Sequence, residues 1–149
     1  MLRNKAALFA ALLMSAGSVK AEKKTITPPE FAAPGSTAPM YSPGILVDGT
    51  LYVAGQTGTD LSTRQIPDEF EAQVKTALDN IGKVLKAAGM TYDDVVSVQV
   101  YLTDMDLFSR MNAVYATYFK PPRPARATVG VASLASPKAH VEISVIARK

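Results

Sequence analysis

The sequence has no cysteine and a single histidine among its 149 residues. Without cysteine, a disulfide framework, a thiol nucleophile, a thiolate metal site and a lipid-modified cysteine are all excluded. A single histidine also excludes a catalytic Cys-His pair and disfavours a histidine-cluster metal site. No G-x-S-x-G turn surrounds any serine, which argues against a serine hydrolase. We therefore expect neither a metal nor a cofactor.

Long apolar runs are also scarce, and the run near the start is too short to cross a membrane. It covers Ala6–Met14, about half the length that a spanning helix needs. Arg3 and Lys5 precede it, and the small-x-small sequence Val19-Lys20-Ala21 follows it. This arrangement predicts a cleaved secretory signal peptide at residues 1–21, with an organellar transit peptide as the alternative. The mature protein would then be periplasmic or secreted, and we expect no membrane association after cleavage.

An excess of charge of one sign is absent once this leader is set aside. Three of the 16 basic residues, Arg3, Lys5 and Lys20, lie in the leader, which contains no acidic residue. The rest of the chain has 13 basic and 13 acidic residues, so its formal net charge is zero. Proteins that bind nucleic acid usually carry an excess of basic residues, which neutralise its phosphates. We therefore expect no nucleic-acid partner.

The remaining sequence divides into a short lead-in and one domain. Residues 22–38 are rich in proline and lack a periodic apolar pattern, which predicts an extended lead-in. Residues 39–149 are long enough to bury a core. They begin with a predicted β-hairpin, Gly44–Val47 and Thr50–Ala54, around Asp48-Gly49, because Asp-Gly suits the positive φ angles of a tight hairpin turn.

Two stretches have the apolar period of amphipathic helices. The first is predicted to begin at a capping pair, Asp68 and Glu71, and to end at Gly89. The second follows the capping candidates in Thr103–Asp106 and stops before Pro121. Each helix has one apolar stripe. One side of each helix is therefore expected to pack on a sheet, while the other side faces water. The stripes are Phe70, Val74, Ala77, Leu78, Ile81, Val84, Leu85 and Ala88 in the first helix, and Leu107, Phe108, Met111, Val114, Tyr115 and Tyr118 in the second.

The other apolar segments alternate as strands do, which gives the predicted order ββαβαββ. In the strand Val95–Leu102, alternation places Val96 on the same face as Val98 and Leu102, and Val95 on the opposite face with Tyr101. Two helices with one stripe each can cover only one face of such a sheet. Val95 and Tyr101 are therefore candidates for an uncovered apolar face, and self-association is the simplest way to cover it.

One arginine stands at the entrance of an otherwise apolar strand, in Pro124–Val131. Alternation places Arg126, Thr128 and Gly130 on one face, which we predict to be polar and open. A guanidinium has five donors and no acceptor, so it suits the bidentate capture of a carboxylate or a phosphate. The alternative is an ordinary surface arginine at a strand entrance.

A single glutamate complements this arginine. Glu142 is the only carboxylate after Asp106 and lies inside the last predicted strand, His140–Ala147. A carboxylate there needs a cation or an ordered water, because its desolvation costs free energy. Arg126 and Glu142 are therefore the catalytic candidates, and a purely structural ion pair between them is the alternative. His140 is predicted to be exposed and non-catalytic.

Several segments of the chain occur in the same order and spacing in a known family. They are Ala38–Ser42, Val53–Gln56, Glu71–Gln73, Ala77–Ile81, Val100–Met105, Asn112–Tyr115, Pro124–Val129 and Val141–Ile143. On these segments the sequence resembles the RidA/YjgF family of reactive-intermediate deaminases, also labelled endoribonuclease L-PSP, over about 110 residues. The resemblance implies an α/β (α+β) fold of the chorismate-mutase-like type. In that fold, two helices cover one face of a mixed sheet, and a homotrimer has an active site in each cleft between subunits.

The resemblance also implies a role for individual residues. Arg126 would grip the substrate carboxylate, and Glu142 would be associated with the water that attacks an imine carbon. Tyr41, Gly55 and Asn112 would surround the ligand. Thr128, on the same strand face as Arg126, is a further substrate-binding candidate.

The implied reaction is hydrolysis of small 2-imino acids, the tautomers of enamines such as 2-aminoacrylate, to 2-keto acids and ammonia. An imine is already electrophilic, so a carboxylate clamp and one oriented water would suffice. One alternative is a non-catalytic trimeric module that binds small carboxylates. The other is the ribonuclease activity also associated with this family, which the zero net charge disfavours.

Overall fold

The computed structural model describes residues 21–32 and 40–149. Within them, a six-stranded sheet in the order β1-β2-β3-β6-β4-β5 carries both α-helices on one face. Neighbouring strands are antiparallel except β4 and β5, which run parallel. The predicted mixed fold with one covered sheet face is confirmed. The elements are β1 (Lys24–Ile26), β2 (Gly44–Val47), β3 (Thr50–Thr57), α1 (Phe70–Ala87), β4 (Val95–Leu102), α2 (Phe108–Tyr118), β5 (Ala125–Gly130) and β6 (Val141–Arg148).

The first strand, β1, is an addition to the predicted order. It lies in the segment predicted to be an extended lead-in, and it pairs antiparallel with β2. Its Ile26 side chain is only 4% exposed and belongs to the core. This part of the lead-in is therefore a strand of the sheet. The predicted signal peptide falls outside the described residues, except for Ala21. Residues 33–39, which belong to the predicted lead-in and to the first family motif, also fall outside them.

Helix α1 buries its predicted apolar stripe and ends at Gly89, which adopts a positive φ of 72°. The predicted capping pair at its start is wrong. Glu69 is the N-cap residue, and no side chain caps the helix. Glu71 instead accepts two hydrogen bonds from Arg110 of α2, at 2.7 Å from Nε and 2.6 Å from Nη2. The guanidinium fork offers the carboxylate two charge-assisted bonds, which are stronger than one bond to a backbone amide.

A bulge in β4 reverses the predicted facing of Val95 and Val96. The register between β4 and β6 shifts between Val95 and Ser97. Val95 is consequently buried in the core at 6% exposure, whereas Val96 is 49% exposed on the other face. The predicted alternation is wrong here because a bulge inserts one residue, which moves the preceding side chains to the opposite face. Tyr101 lies beyond the bulge and faces the uncovered side, as predicted.

A buried glutamine connects the loops around the covered face. Gln73 of α1 is 1% exposed, and its Nε2 donates to the carbonyls of Pro67 at 2.9 Å and Lys138 at 3.1 Å. Its Oε1 accepts a hydrogen bond from the backbone N–H of His140 at 2.9 Å. These bonds fix the segments that lead into α1 and β6, because a buried polar side chain is stable only when its bonds are made.

The other face of the sheet is uncovered in the single chain. Tyr52 is 49% exposed there, and Val129 of β5 is 46% exposed. With Val96, these side chains give the face an apolar character that an isolated soluble chain seldom shows. In the described ranges, no helix is long and apolar enough to cross a lipid bilayer.

Candidate active site

The Arg126 side chain, at the start of β5, packs against aromatic rings of α2. Its Cζ lies 4.5 Å from the centroid of the Tyr115 ring and 5.7 Å from that of Phe108. Tyr115 in turn stacks on Phe119, with ring centroids 4.4 Å apart. A ring face attracts a cation through its quadrupole. These contacts therefore help to hold the guanidinium in place.

The face of β5 predicted to be polar and open is the helix side of the sheet. Arg126 is paired with Val98 in the parallel ladder between β5 and β4, and Val98 is fully buried beneath the helices. Paired residues of neighbouring strands share a face, so Arg126 faces the helix side of the sheet. Because β5 is the edge strand, the arginine side chain remains exposed there.

A cavity of about 330 Å³ opens beside Arg126, between α2 and the entrance to β5. It brings together two residues predicted to bind substrate, Arg126 and Asn112. The cavity volume lies at the lower end of the range for ligand pockets, which suits a small molecule. Neither of the ion pairs found within the described residues involves an arginine of this cavity. The lining residues are Asn112, Tyr115, Ala116, Arg123, Pro124 and Arg126.

The Tyr115 hydroxyl at this cavity is buried and has no hydrogen-bond partner among the described residues. Burial raises the pKa of Tyr115, while the positive charges of Arg126 and Arg123 act in the opposite direction. Tyr115 is therefore neutral near pH 7. Its hydroxyl can donate a hydrogen bond to an acceptor that enters the cavity.

Thr128, a predicted substrate-binding residue, lies two positions beyond Arg126 and does not line the cavity. It is paired with the buried Val100 of β4, so it also faces the helix side. Its Oγ1 is buried and has no hydrogen-bond partner in the described part of the chain.

Glu142 and Gly55 lie together on the uncovered face of the sheet, at a bulge in β3. The register between β3 and β6 shifts between Val53 and Gln56, and Gly55 lies within this bulge. A Cβ atom at position 55 would overlap the Glu142 carboxylate. A side chain at position 55 would therefore displace the Glu142 carboxylate from its present position.

Tyr41 lies in the segment that leads into β2 and is 62% exposed. The carbonyl of Pro43 accepts a hydrogen bond at 3.0 Å from the backbone N–H of Ala54, which adjoins Gly55. This bond ties the Tyr41 segment to the β3 bulge. Tyr41 therefore precedes by two residues the point where its segment meets β3, and it does not line the cavity at Arg126.

Arg126 and Glu142 lie on opposite faces of the sheet. Glu142 is paired with Tyr101 on the uncovered face, whereas Arg126 is paired with Val98 on the helix side. The structural ion pair considered as an alternative is not formed among the described residues. A small ligand that contacts both side chains would therefore have to lie between two chains.

Two other cavities, of about 590 and 500 Å³, contain none of the predicted site residues. In the first, Thr103 Oγ1 lies 3.0 Å from Nδ1 of His140, which is exposed as predicted. In the second, the Asp60 carboxylate accepts local hydrogen bonds from Ser62 and Thr63, which lower its pKa to about 2. The described residues include no cluster of three or more side chains that could hold a metal ion.

The comparison with known proteins identifies the group to which the chain belongs. The family described as Endoribonuclease L-PSP matches residues 31–149. A RutC family protein of Sulfurisphaera tokodaii is 45% identical over 119 residues, covering 78% of this chain and 93% of the relative. The mouse 2-iminobutanoate/2-iminopropanoate deaminase is 44% identical over 117 residues, covering 77% and 84%. The chain belongs to the RidA/YjgF family.

Solved structures of RidA/YjgF proteins have the same fold. YyfA, a Rid-family protein of Yersinia pestis, superimposes with a TM-score of 0.78 at 36% identity, covering 86% of this chain and all of that one. The YjgF gene product of Escherichia coli gives a TM-score of 0.74 at 32% identity, covering 85% and 98%. The family and the fold predicted from the sequence segments are therefore confirmed.

Two polar residues that line this cavity, Tyr115 and Arg123, were not among the predicted site residues. The sequence pattern assigns Tyr115 to the apolar stripe of the second helix. Residues three apart on a helix lie on the same face, so the position of Tyr115 relative to Asn112 was the sequence signal that could have placed it at the site. Arg123 lies in the proline-rich connection to β5. A second arginine three residues before Arg126 was its only sequence signal.

Proposed function

We propose that this RidA/YjgF protein is an imine deaminase, which converts small 2-imino acids into 2-keto acids and ammonia. The observation that carries the proposal is the Arg126 guanidinium, held on the Tyr115 ring at the wall of a small cavity. Mammalian relatives at about 45% identity are named 2-iminobutanoate/2-iminopropanoate deaminase. That name supports the same reaction class for this chain.

The reaction needs few protein groups. Water adds to the carbon of the C=N bond, the C–N bond then breaks, and nitrogen leaves as ammonia while a keto group remains. Arg126 would hold the carboxylate next to the imine carbon through two parallel N–H···O bonds. Because the imine carbon is electrophilic already, a fixed substrate and an oriented water can account for the acceleration.

The water would be oriented by Glu142 of a neighbouring chain. Within one chain, Glu142 lies on the uncovered face, close to Gly55, and cannot reach a ligand held by Arg126. We propose that, in a homotrimer, the uncovered face of each chain packs against the β5 edge of a neighbour, so that each cleft combines Arg126 and Asn112 of one chain with Glu142, Gly55 and Tyr41 of the next. Self-association would also bury the apolar surface of that face.

Arg126→Ala tests the carboxylate clamp. Loss of the bidentate contact is expected to lower kcat/KM for 2-iminobutyrate by about 10- to 100-fold, because a charge-assisted bond pair is replaced by solvent. The imine can be generated in situ from 2-aminobutyrate by an amino-acid oxidase, and its disappearance followed against a buffer blank. Lys86→Ala, on the exposed side of α1, is the matched control for loss of one positive charge. An unchanged rate in the Arg126 variant would show that the clamp is assigned to the wrong residue.

A carboxylate-binding module without catalysis is the second candidate. It is favoured by one observation: no acidic or basic side chain other than the two arginines lines the cavity of the single chain. If purified wild-type protein binds butyrate but leaves the rate of imine hydrolysis at that of buffer, this candidate replaces the deaminase.

We also propose an exported location for the mature protein. The proposal depends on the basic start, the short apolar run and the Val19-Lys20-Ala21 sequence, which together are typical of a secretory leader. It is independent of the assignment of the active site.

A further inference from the structure

A second arginine, Arg123, lines the same cavity as Arg126. In a regular strand, residues three apart point to opposite faces. The two side chains can converge because Arg123 precedes Pro124 and lies outside β5, which begins at Ala125. The segment that precedes β5 thus places Arg123 at the same pocket as Arg126.

In the described part of a single chain, the pocket carries two positive charges and no lining carboxylate. Its other lining side chains are uncharged, and neither arginine takes part in an ion pair among the described residues. Glu142 of the next chain, which the proposed function assigns to the water, would occupy neither guanidinium fork, so a ligand with one carboxylate would leave the Arg123 fork without a partner. A ligand with two would satisfy both, as bidentate guanidinium–carboxylate pairs require.

The Tyr115 hydroxyl is an independent sign of a polar ligand. The residue is 4% exposed, its hydroxyl has no partner in the described part of the chain, and it lines the same cavity. A buried hydroxyl without a partner is costly, so it marks a place where a ligand oxygen would be stabilised.

We propose that this cavity recognises small dicarboxylates, with Arg126 on one carboxylate and Arg123 on the other. The inference rests on the proposed deaminase function and extends it to a substrate class, the 2-imino dicarboxylic acids. For the four-carbon member, 2-iminosuccinate, water adds to the imine carbon and the C–N bond breaks. The products are oxaloacetate and ammonia. The cavity volume of about 330 Å³ suits an acid of this size.

The test compares two imines and three variants. 2-Iminosuccinate is generated from aspartate by an aspartate oxidase, and 2-iminobutyrate from 2-aminobutyrate as above. Wild-type kcat/KM is expected to be higher for the dicarboxylic imine. Arg123→Gln is expected to lower kcat/KM for 2-iminosuccinate by about 10- to 100-fold and to lower that for 2-iminobutyrate by a clearly smaller factor. Arg123→Lys should recover part of the loss, and Lys86→Gln should change neither value.

The outcomes separate this inference from the proposed function. Suppose that 2-iminobutyrate is hydrolysed faster than in buffer, but Arg123→Gln lowers kcat/KM for both substrates by the same factor. Dicarboxylate recognition is then overturned, while the deaminase function stands. If neither imine is accelerated, the deaminase fails, and titration calorimetry with succinate, butyrate and inorganic phosphate still decides the inference. The inference is supported if succinate binds more tightly than butyrate and phosphate and if Arg123→Gln removes that difference. Equal binding of succinate and butyrate, or preference for phosphate, overturns it.

Discussion

At the residue scale, the environment of Arg126 explains how a surface arginine becomes a binding group. Its guanidinium lies over the Tyr115 ring, which is itself fixed by stacking on Phe119. An arginine free in solvent loses rotamer entropy when it binds an anion. Stacking removes part of that loss in advance, so the aromatic support contributes to affinity through preorganisation.

Tyr115→Leu tests this support. We expect KM for 2-iminobutyrate to rise about three- to ten-fold, because a cation–π contact at a partly exposed site contributes about 0.5–1 kcal/mol and its loss also leaves the guanidinium mobile. Steady-state kinetics measure the effect. Tyr115→Phe is the matched control, since it keeps the ring and removes only the hydroxyl. If the Phe variant loses as much affinity for this monocarboxylate as the Leu variant, the hydroxyl and not the ring supports binding.

At the element scale, the two helices are joined by an ion pair rather than only by their apolar stripes. Glu71 of α1 and Arg110 of α2 form a bidentate pair, and Arg110 holds the pKa of Glu71 at about 2. A carboxyl whose folded pKa is depressed stabilises the protein above its ordinary pKa, 4.5. That contribution is lost as the pH falls toward about 2. The pair thus makes the helix layer sensitive to acid.

Glu71→Gln is expected to lower the free energy of unfolding at pH 7, with a difference from wild type that shrinks between pH 4.5 and 2. Denaturant unfolding at pH 7, 4.5 and 2.5 measures it. Both groups are exposed, so added salt should reduce the difference at pH 7. Glu69→Gln removes a carboxylate from the same turn without breaking a pair and is the control. If the free energy of unfolding of Glu71→Gln differs from that of wild type by the same amount at all three pH values, the Glu71–Arg110 pair is not the source of the acid sensitivity.

At the scale of the whole molecule, the sheet separates the two catalytic candidates. Arg126 faces the helix layer, and Glu142 faces the uncovered side near Gly55. A single sheet cannot bring opposite faces to one ligand, whereas a ring of identical chains can, because each interface joins different surfaces of two neighbours. The proposed function therefore depends on assembly.

Subunit mixing tests that dependence. The Arg126→Ala and Glu142→Gln variants are each expected to have little activity on their own. Equal coexpression, with differently tagged chains, should restore about a quarter of the wild-type rate, since each cleft takes one side from each of two randomly chosen chains. Size-exclusion chromatography with light scattering verifies the trimer. A mixture as inactive as its parents would show that a shared cleft is not the active site.

The hairpin, both helices and the covered face could be predicted from the sequence because they depend on local periodicity and turn chemistry, whereas the family was identified from the resemblance of its segments. The 3.6-residue stripe of α1 and the Asp48-Gly49 turn are properties of neighbouring residues. The bulges near Gly55 and Val95 were not predictable in this way, because a bulge is defined by the register of a strand that is distant in sequence. The same limit applies to the glutamine Gln73, whose partners lie on two separate loops.

The sequence by itself determined the two helices, the strands from β2 onward, the family and the choice of Arg126 and Glu142 as catalytic candidates. Only the tertiary structure decided that Arg126 lies under α2 beside Arg123 and Tyr115, while Glu142 lies on the far side of the sheet. Alternation along a strand states which residues share a face, but not which face meets the helices. That choice is made by the pairing of β5 with β4 and by the packing of α2 on the buried face, and both are long-range contacts.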